Sequence, residues 1–172
     1  GGLRPADGRV EGVVALEGGA HQGAVAADER GLVARRAEVV SEDERESGPR
    51  RVLNFGHTVG HALEAITQYR RFRHGEAIGY GMLAAARISA ARGVMPAPDE
   101  QQLKELIAHL GPLPLVTDLH VKDALDAVLL DKKVLAGKLH FVLAGALGST
   151  SIVSDVTPKE LAAAMKSLGM KS

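Results

Sequence analysis

Residues 50–76, RRVLNFGHTVGHALEAITQYRRFRHGE, carry more chemistry than any other part of this 172-residue chain. His57 and His61 stand four residues apart, so on a helix they project from one face, one turn from each other. His74 follows immediately before Gly75-Glu76, and Arg50, Asn54 and Glu64 lie close by in the chain. Three imidazoles among charged and amide side chains, inside otherwise apolar helical sequence, point to a metal and anion site rather than to a core. Core or helix-surface histidines with ordinary partners would account for any one of them, but not for the set.

The string HTVGH has the spacing of the zinc-protease motif HExxH, yet Thr58 stands where the general-base glutamate must be, so that chemistry fails. Zinc held by two imidazoles and a carboxylate, with one open position, fits better. Arg50 and Asn54 are also four apart and are read as sharing a face beside His57; Arg offers a planar fork to phosphate or carboxylate, and Asn serves hydroxyls. A local pair between Arg50 and Glu46 is the plainer alternative. Asp131-Lys132-Lys133, read as a charged turn after a helix, offers a second cationic group, and Arg35-Arg36 a third; each alone is more simply a solvated surface.

Working outward, the composition excludes several classes. Lys plus Arg and Asp plus Glu number 21 each, so no broad field attracts nucleic acid or an acidic membrane surface. Three Phe, two Tyr and no Trp leave few platforms for stacking bases. With no cysteine, disulfides and thiolate ligands are excluded, and His, Asp and Glu remain for a metal. No apolar run reaches spanning length and no signal-peptide pattern opens the chain, so it is read as soluble and cytoplasmic.

The pattern is mainly helical with one small β-ribbon. Helices are expected over 25–40, 52–67, 75–92 and from Asp99, as a cap, to about His109, where Gly111-Pro112 stops the chain. A further short helix runs from Asp118 or Val121 to Leu130. Two strands, 139–143 and 151–153, flank the Gly145–Gly148 turn region. Thr157 is expected to cap a last helix, with Pro158 at its first position and Glu160 in the capping-box place. Gly75, Gly79 and Gly81 cost helix propensity, which suggests close helix packing or backbone approach to a ligand.

Taken in order, AEVVSEDERESGPRRVLNFGHTVGHALEA, FRHGEAIGYGML and LDKKVLAGKLHFVL, with the turn at Leu147-Gly148, resemble the C-terminal half of 3-dehydroquinate synthase, from about Arg36 to the end. LNFGHTxGHA with HGEA is specific to that enzyme and its sugar phosphate cyclase relatives. The resemblance implies the multi-helix C-terminal domain of that fold. It also implies conversion of 3-deoxy-arabino-heptulosonate 7-phosphate to 3-dehydroquinate in the shikimate route. In that chemistry NAD transiently oxidises a ring hydroxyl, phosphate is eliminated, the ketone is reduced again and an aldol step closes the ring, while zinc (or another divalent metal such as cobalt) polarises the hydroxyl. By motif position, the resemblance assigns His57 and His74 to the metal and His61 to the phosphate or its proton path. Arg50 and Asn54 go to substrate carboxylate and hydroxyls, Glu46 to positioning them, and Lys132 or Lys133 to the substrate.

The chain also departs from the family pattern. The family's third ligand, a glutamate in a G-x-A-E-x-x-K motif upstream of LNFGH, has no counterpart here; Glu11 and Glu17 lack the flanking residues. Arg36 stands where K-A-x-V-V has lysine, and no βαβ pattern for NAD precedes it. The chain opens on Gly1 with the Gly- and Ala-rich GGLRPADGRVEGVVALEGGAHQGAVAADERG. Residues 1–35 are therefore expected to be a flexible or truncated segment before a helical domain at 36–172. The chain alone is expected to be inactive, taking its sugar-acid phosphate substrate only with an NAD-binding N-terminal domain or chain, and able to self-associate, as a homodimer for example. Within the same fold the alternative is a cyclase that makes 2-deoxy-scyllo-inosose or a valiolone. A non-catalytic helical interaction module is the alternative outside catalysis, and a generic helical metal-binding protein leaves the DKK run and the motif order unexplained.

Overall fold

The computed structural model describes residues 49–134 and 140–172. The expected helix at 25–40, the Arg35-Arg36 pair, Glu46 and the opening segment lie outside the described residues. A 3₁₀ helix, Pro49–Asn54, is followed by α1 (His57–Ile66), α2 (His74–Ala91), α3 (Ala97–His109) and α4 (Val121–Val134). Strands β1 (Phe141–Ala144) and β2 (Thr150–Val153) form an antiparallel ribbon with Phe141 opposite Val153 and Ala144 opposite Thr150; α5 (Pro158–Ser167) completes the described fold. The mainly α class with one small ribbon is thus as expected.

Helix α2 is the hub. It packs against α1, α3, α5 and β1. Its small residues Ala77, Gly81, Ala84 and Ala85 are buried, so neighbouring backbones approach closely, while Tyr80 and Ile88 fill the space between them. Val59 and Leu63 of α1, one turn apart, enter the same core with Val128, Phe141, Leu143, Leu161 and Met165. Each such side chain removed from water contributes about 1.5–3 kcal/mol, against the entropy of ordering it.

The single helix expected over 52–67 is two elements. Gly56 sits at φ 85°, the left-handed region, which ends the 3₁₀ turn and restarts the chain as α1 at His57. The reason is tertiary: a Cβ at Gly56 would stand 2.7 Å from the Ile78 carbonyl oxygen and the Met82 nitrogen of α2. Close packing also explains Gly81, but not Gly75, which faces open space, nor Gly79, whose added Cβ would meet only ordinary contacts.

Two helix boundaries differ from expectation, and the start of α4, left open between Asp118 and Val121, is decided. Pro96 rather than Asp99 precedes α3; Pro98 is tolerated in its first turn, and the Asp99 carboxylate instead accepts from the Leu147 N–H at 3.0 Å. Helix α4 begins at Val121, where the Val121 N–H donates to the Lys171 carbonyl at 2.8 Å and so ties the chain end to this helix. It runs on to Val134, so Lys132 and Lys133 occupy its last turn rather than a loop after it. The capping box of α5 is as expected: Glu160 N–H donates to Thr157 Oγ1 at 3.2 Å, and Thr157 N–H to Glu160 Oε2 at 2.8 Å.

Candidate metal centre

The left-handed turn at Gly56 makes His57 the first residue of α1, and His61 follows on the same face. Glu64, three residues further, falls on that stripe too, while Val59 and Leu63 occupy the core-facing one. The third histidine opens α2, where Arg73 N–H donates to Glu76 Oε2 at 2.7 Å and fixes the first turn. Gly60 allows the two helices to meet: a Cβ there would lie 3.0 Å from the Ala77 carbonyl oxygen.

This packing brings His57, His61 and His74 together. Their ring centroids lie 5.3, 5.6 and 5.8 Å apart. One nitrogen from each ring lies within 4.8 Å of the other two. Tetrahedral zinc with Zn–N bonds of about 2.0–2.1 Å needs nitrogens roughly 3.3 Å apart, so modest side-chain rotations would be needed to bring any two of these rings to ligand spacing.

The donor chemistry fits a cation. His57 is half-buried, and burial is the main cause that pulls its pKa below the ordinary histidine value. The Phe55 backbone pushes the other way, the charges of His61 and His74 add to the lowering, and the Asn54 backbone opposes it weakly. Although those backbone groups favour the protonated ring, Nδ1 of His57 is shielded from water and makes no well-formed hydrogen bond among the described residues. A neutral ring with an unused nitrogen is what a metal requires. Behind His74, the buried Glu64 carboxylate lies 3.1 Å from Nδ1.

A cleft of about 500 Å³ opens beside the cluster. Its walls include Thr58, His61, Glu64, Tyr69 and His74, together with Leu130 of α4. Lys132 and Lys133 follow Leu130 in the last turn of that helix, which puts their backbone at the same end of the fold. Asn54 is exposed at the end of the 3₁₀ helix. With three residues per turn there, positions 50 and 54 do not share a face as an α-helix would give, so the premise that aligned Arg50 with Asn54 does not hold. Glu46 lies outside the described residues.

Two features of the site were not assigned a role from sequence. Glu64 stands in the i, i+4, i+7 series with His57 and His61, a spacing from which it could have been picked out. Tyr69 left no such signal: it follows Gln68 with both residues in the left-handed region, φ 56° and 54°, a conformation set where α1 ends and Tyr69 N–H donates to the Glu64 carbonyl at 2.8 Å.

Comparison with known proteins agrees with this architecture. The family described as 3-dehydroquinate synthase C-terminal matches residues 21–134. The 3-dehydroquinate synthase of Solibacter usitatus is 43% identical over 135 residues, which cover 78% of this chain and 38% of that protein. That of Dichelobacter nodosus is 47% identical over 128 residues, covering 73% and 34%. The chain therefore spans little more than a third of the length of these relatives. Among solved structures, 2-epi-5-epi-valiolone synthase from Streptomyces hygroscopicus subsp. jinggangensis, with NAD+ and Zn2+ bound, superposes with a TM-score of 0.68 at 24% identity, over 81% of this chain and 38% of that one. A 2-deoxy-scyllo-inosose synthase complexed with carbaglucose-6-phosphate, NAD+ and Co2+ gives 0.68 and 24% over 80% and 39%. At that identity the likeness is one of fold. The sequence relatives and the matched segment carry the assignment further: this chain belongs to the 3-dehydroquinate synthase C-terminal family.

Proposed function

We propose that the chain supplies the metal- and phosphate-facing half of a 3-dehydroquinate synthase site, acting on 3-deoxy-arabino-heptulosonate 7-phosphate. The observation that carries this reading is the convergence of His57, His61 and His74, with nitrogens within 4.8 Å of one another, beside an open cleft. His57 and His74 hold the metal. His61, on the cleft wall, receives the phosphate or takes the proton whose loss accompanies phosphate departure. Arg50 and Asn54 bind carboxylate and hydroxyls of the substrate, Glu46 positions them, and Lys132 or Lys133 adds positive charge from the end of α4. A bound zinc or cobalt ion supplies Lewis acidity to a substrate hydroxyl, and NAD, held by an N-terminal domain or a separate chain, supplies the reversible hydride acceptor. The reading carries with it a cytoplasmic setting and the shikimate route of aromatic amino-acid biosynthesis. We propose further that residues 36–172 form the functional unit and that the chain alone is inactive.

Zinc titration of the purified chain by calorimetry, beside a His57→Ala/His74→Ala double variant, tests the metal assignment. Stoichiometric binding lost in the double variant supports it, and no binding by the parent chain overturns it. Phosphate release from the heptulosonate phosphate, with NAD and zinc, tests the rest. Release only after addition of an NAD-binding N-terminal half from a relative is expected. Robust release by the chain alone would overturn its proposed dependence on a partner. A product other than 3-dehydroquinate, identified by NMR, would move the substrate to another sugar phosphate.

A further inference from the structure

Glu64 is a carboxylate in an apolar setting. It is 6% exposed, on the stripe of α1 that carries His57 and His61, with Ala62 and Leu63 of the core beside it in the chain. Burying a carboxylate is costly unless a donor meets it. Among the described residues its side-chain partner is His74, whose Nδ1 lies 3.1 Å from Oε1; the His74 side chain is itself 59% exposed and lines the cleft. An ionised carboxylate only accepts hydrogen bonds, so opposite an ionised Glu64 the shared proton would sit on Nδ1 and leave the lone pair of a neutral ring on Nε2. Glu64 is not among the residues whose ligand atoms converge. It stands behind His74 rather than beside it.

We propose that Glu64 is the positioning residue of the metal centre: its buried carboxylate holds the Nδ1 proton of His74 and commits Nε2 of that ring to a divalent cation shared with His57 of α1. This rests on the metal reading above. The physical gain is threefold. The ring is fixed in one tautomer, its rotation is restrained, and the adjacent negative charge makes Nε2 a better donor. It also gives the exposed His74, which lies at the start of a different helix from His57, an anchor on the buried side of α1.

The test uses the full chain and two variants. Glu64→Gln keeps the shape and removes the charge; Glu64→Leu keeps the bulk and removes the acceptor. In the metal-free parent chain at pH 8, long-range ¹H–¹⁵N correlation should show His74 protonated on Nδ1. Glu64→Leu should shift it to the Nε2-protonated form that neutral histidine ordinarily prefers. Zinc affinity by calorimetry should fall about 10- to 100-fold in both variants, with stoichiometry retained. If Glu64→Leu does not fold, as judged by its melting transition, the affinity of Glu64→Gln decides alone. Parent-like zinc affinity in the folded variants overturns the proposal and leaves the metal reading intact. So does a parent chain that binds zinc with His74 protonated on Nε2. A parent chain that binds no zinc overturns both.

Discussion

The carbonyl group of Gly56 occupies the space in which a side chain at Gly81 would have to stand. A Cβ on Gly81 would lie 2.6 Å from the Gly56 carbonyl carbon and closer still to its oxygen. The start of α1, and with it the position of His57, is therefore set by the absence of a side chain on α2.

Gly81→Ala is expected to destabilise the chain by about 3 kcal/mol, at the upper end of overpacking costs because backbone meets backbone. It should also weaken zinc binding, since it pushes His57 away from His74. Gly75→Ala, six residues earlier in the same helix and facing open space, should instead stabilise by roughly 0.4–1 kcal/mol. Urea denaturation of the two variants checks the opposite signs. Equal effects would remove the packing account of Gly81.

Arg92, just past the end of α2, forks onto Glu160 of α5 at 2.6 and 3.0 Å and reaches Asp155 at 2.9 Å. The Arg92 hydrogen bond is the chief reason the Glu160 carboxyl is lowered to about 2, with burial opposing and the Thr157 backbone and hydroxyl assisting. The folded carboxyl therefore holds its proton less tightly than the unfolded one. Its contribution is fully present above about pH 4.5 and is lost as pH falls toward about 2. Both side chains are roughly a quarter exposed, so solvent screening reduces that contribution to about 1–2 kcal/mol. Glu160→Gln should lower stability at pH 7 by that amount and flatten its decline between pH 4.5 and 2, measured by chemical denaturation across the range.

Gln68 and Tyr69 hold two consecutive left-handed conformations without glycine, each costing roughly 1–2 kcal/mol. Because Gln68 is exposed, Gln68→Gly should relieve the first of these at little packing cost. A net gain of up to about 1 kcal/mol is expected once the extra freedom of glycine in the unfolded chain is counted, with zinc affinity unchanged. A fall in melting temperature would show that the turn is held by the side chain rather than strained by it.

Zinc is expected to stabilise the folded chain by mass action, by about 2.7 kcal/mol at free metal one hundredfold above Kd, and a chelator should reverse the effect. His57→Ala should abolish that shift in melting temperature. Since burial lowers the His57 pKa below 6.5, protons should compete with zinc at this ring only in acid below that value. A zinc-dependent shift retained in His57→Ala would remove that residue from the ligand set.

Much of this fold was legible because its signals are local. Thr157-Pro158 with Glu160 specified its own cap, the i, i+4 spacing of His57 and His61 specified one helix face, and the motif order specified the family. Other features depend on what a residue meets across the fold. That α1 begins only at His57 follows from the left-handed Gly56 pressed against α2, and that Asp99 does not cap α3 follows from the Leu147 N–H it receives. The sequence by itself determined which side chains can bind a cation and on which helices they ride. Tertiary packing alone decided that His74 comes within reach of the other two and that a buried Glu64 stands behind it, because both depend on how closely two helices approach.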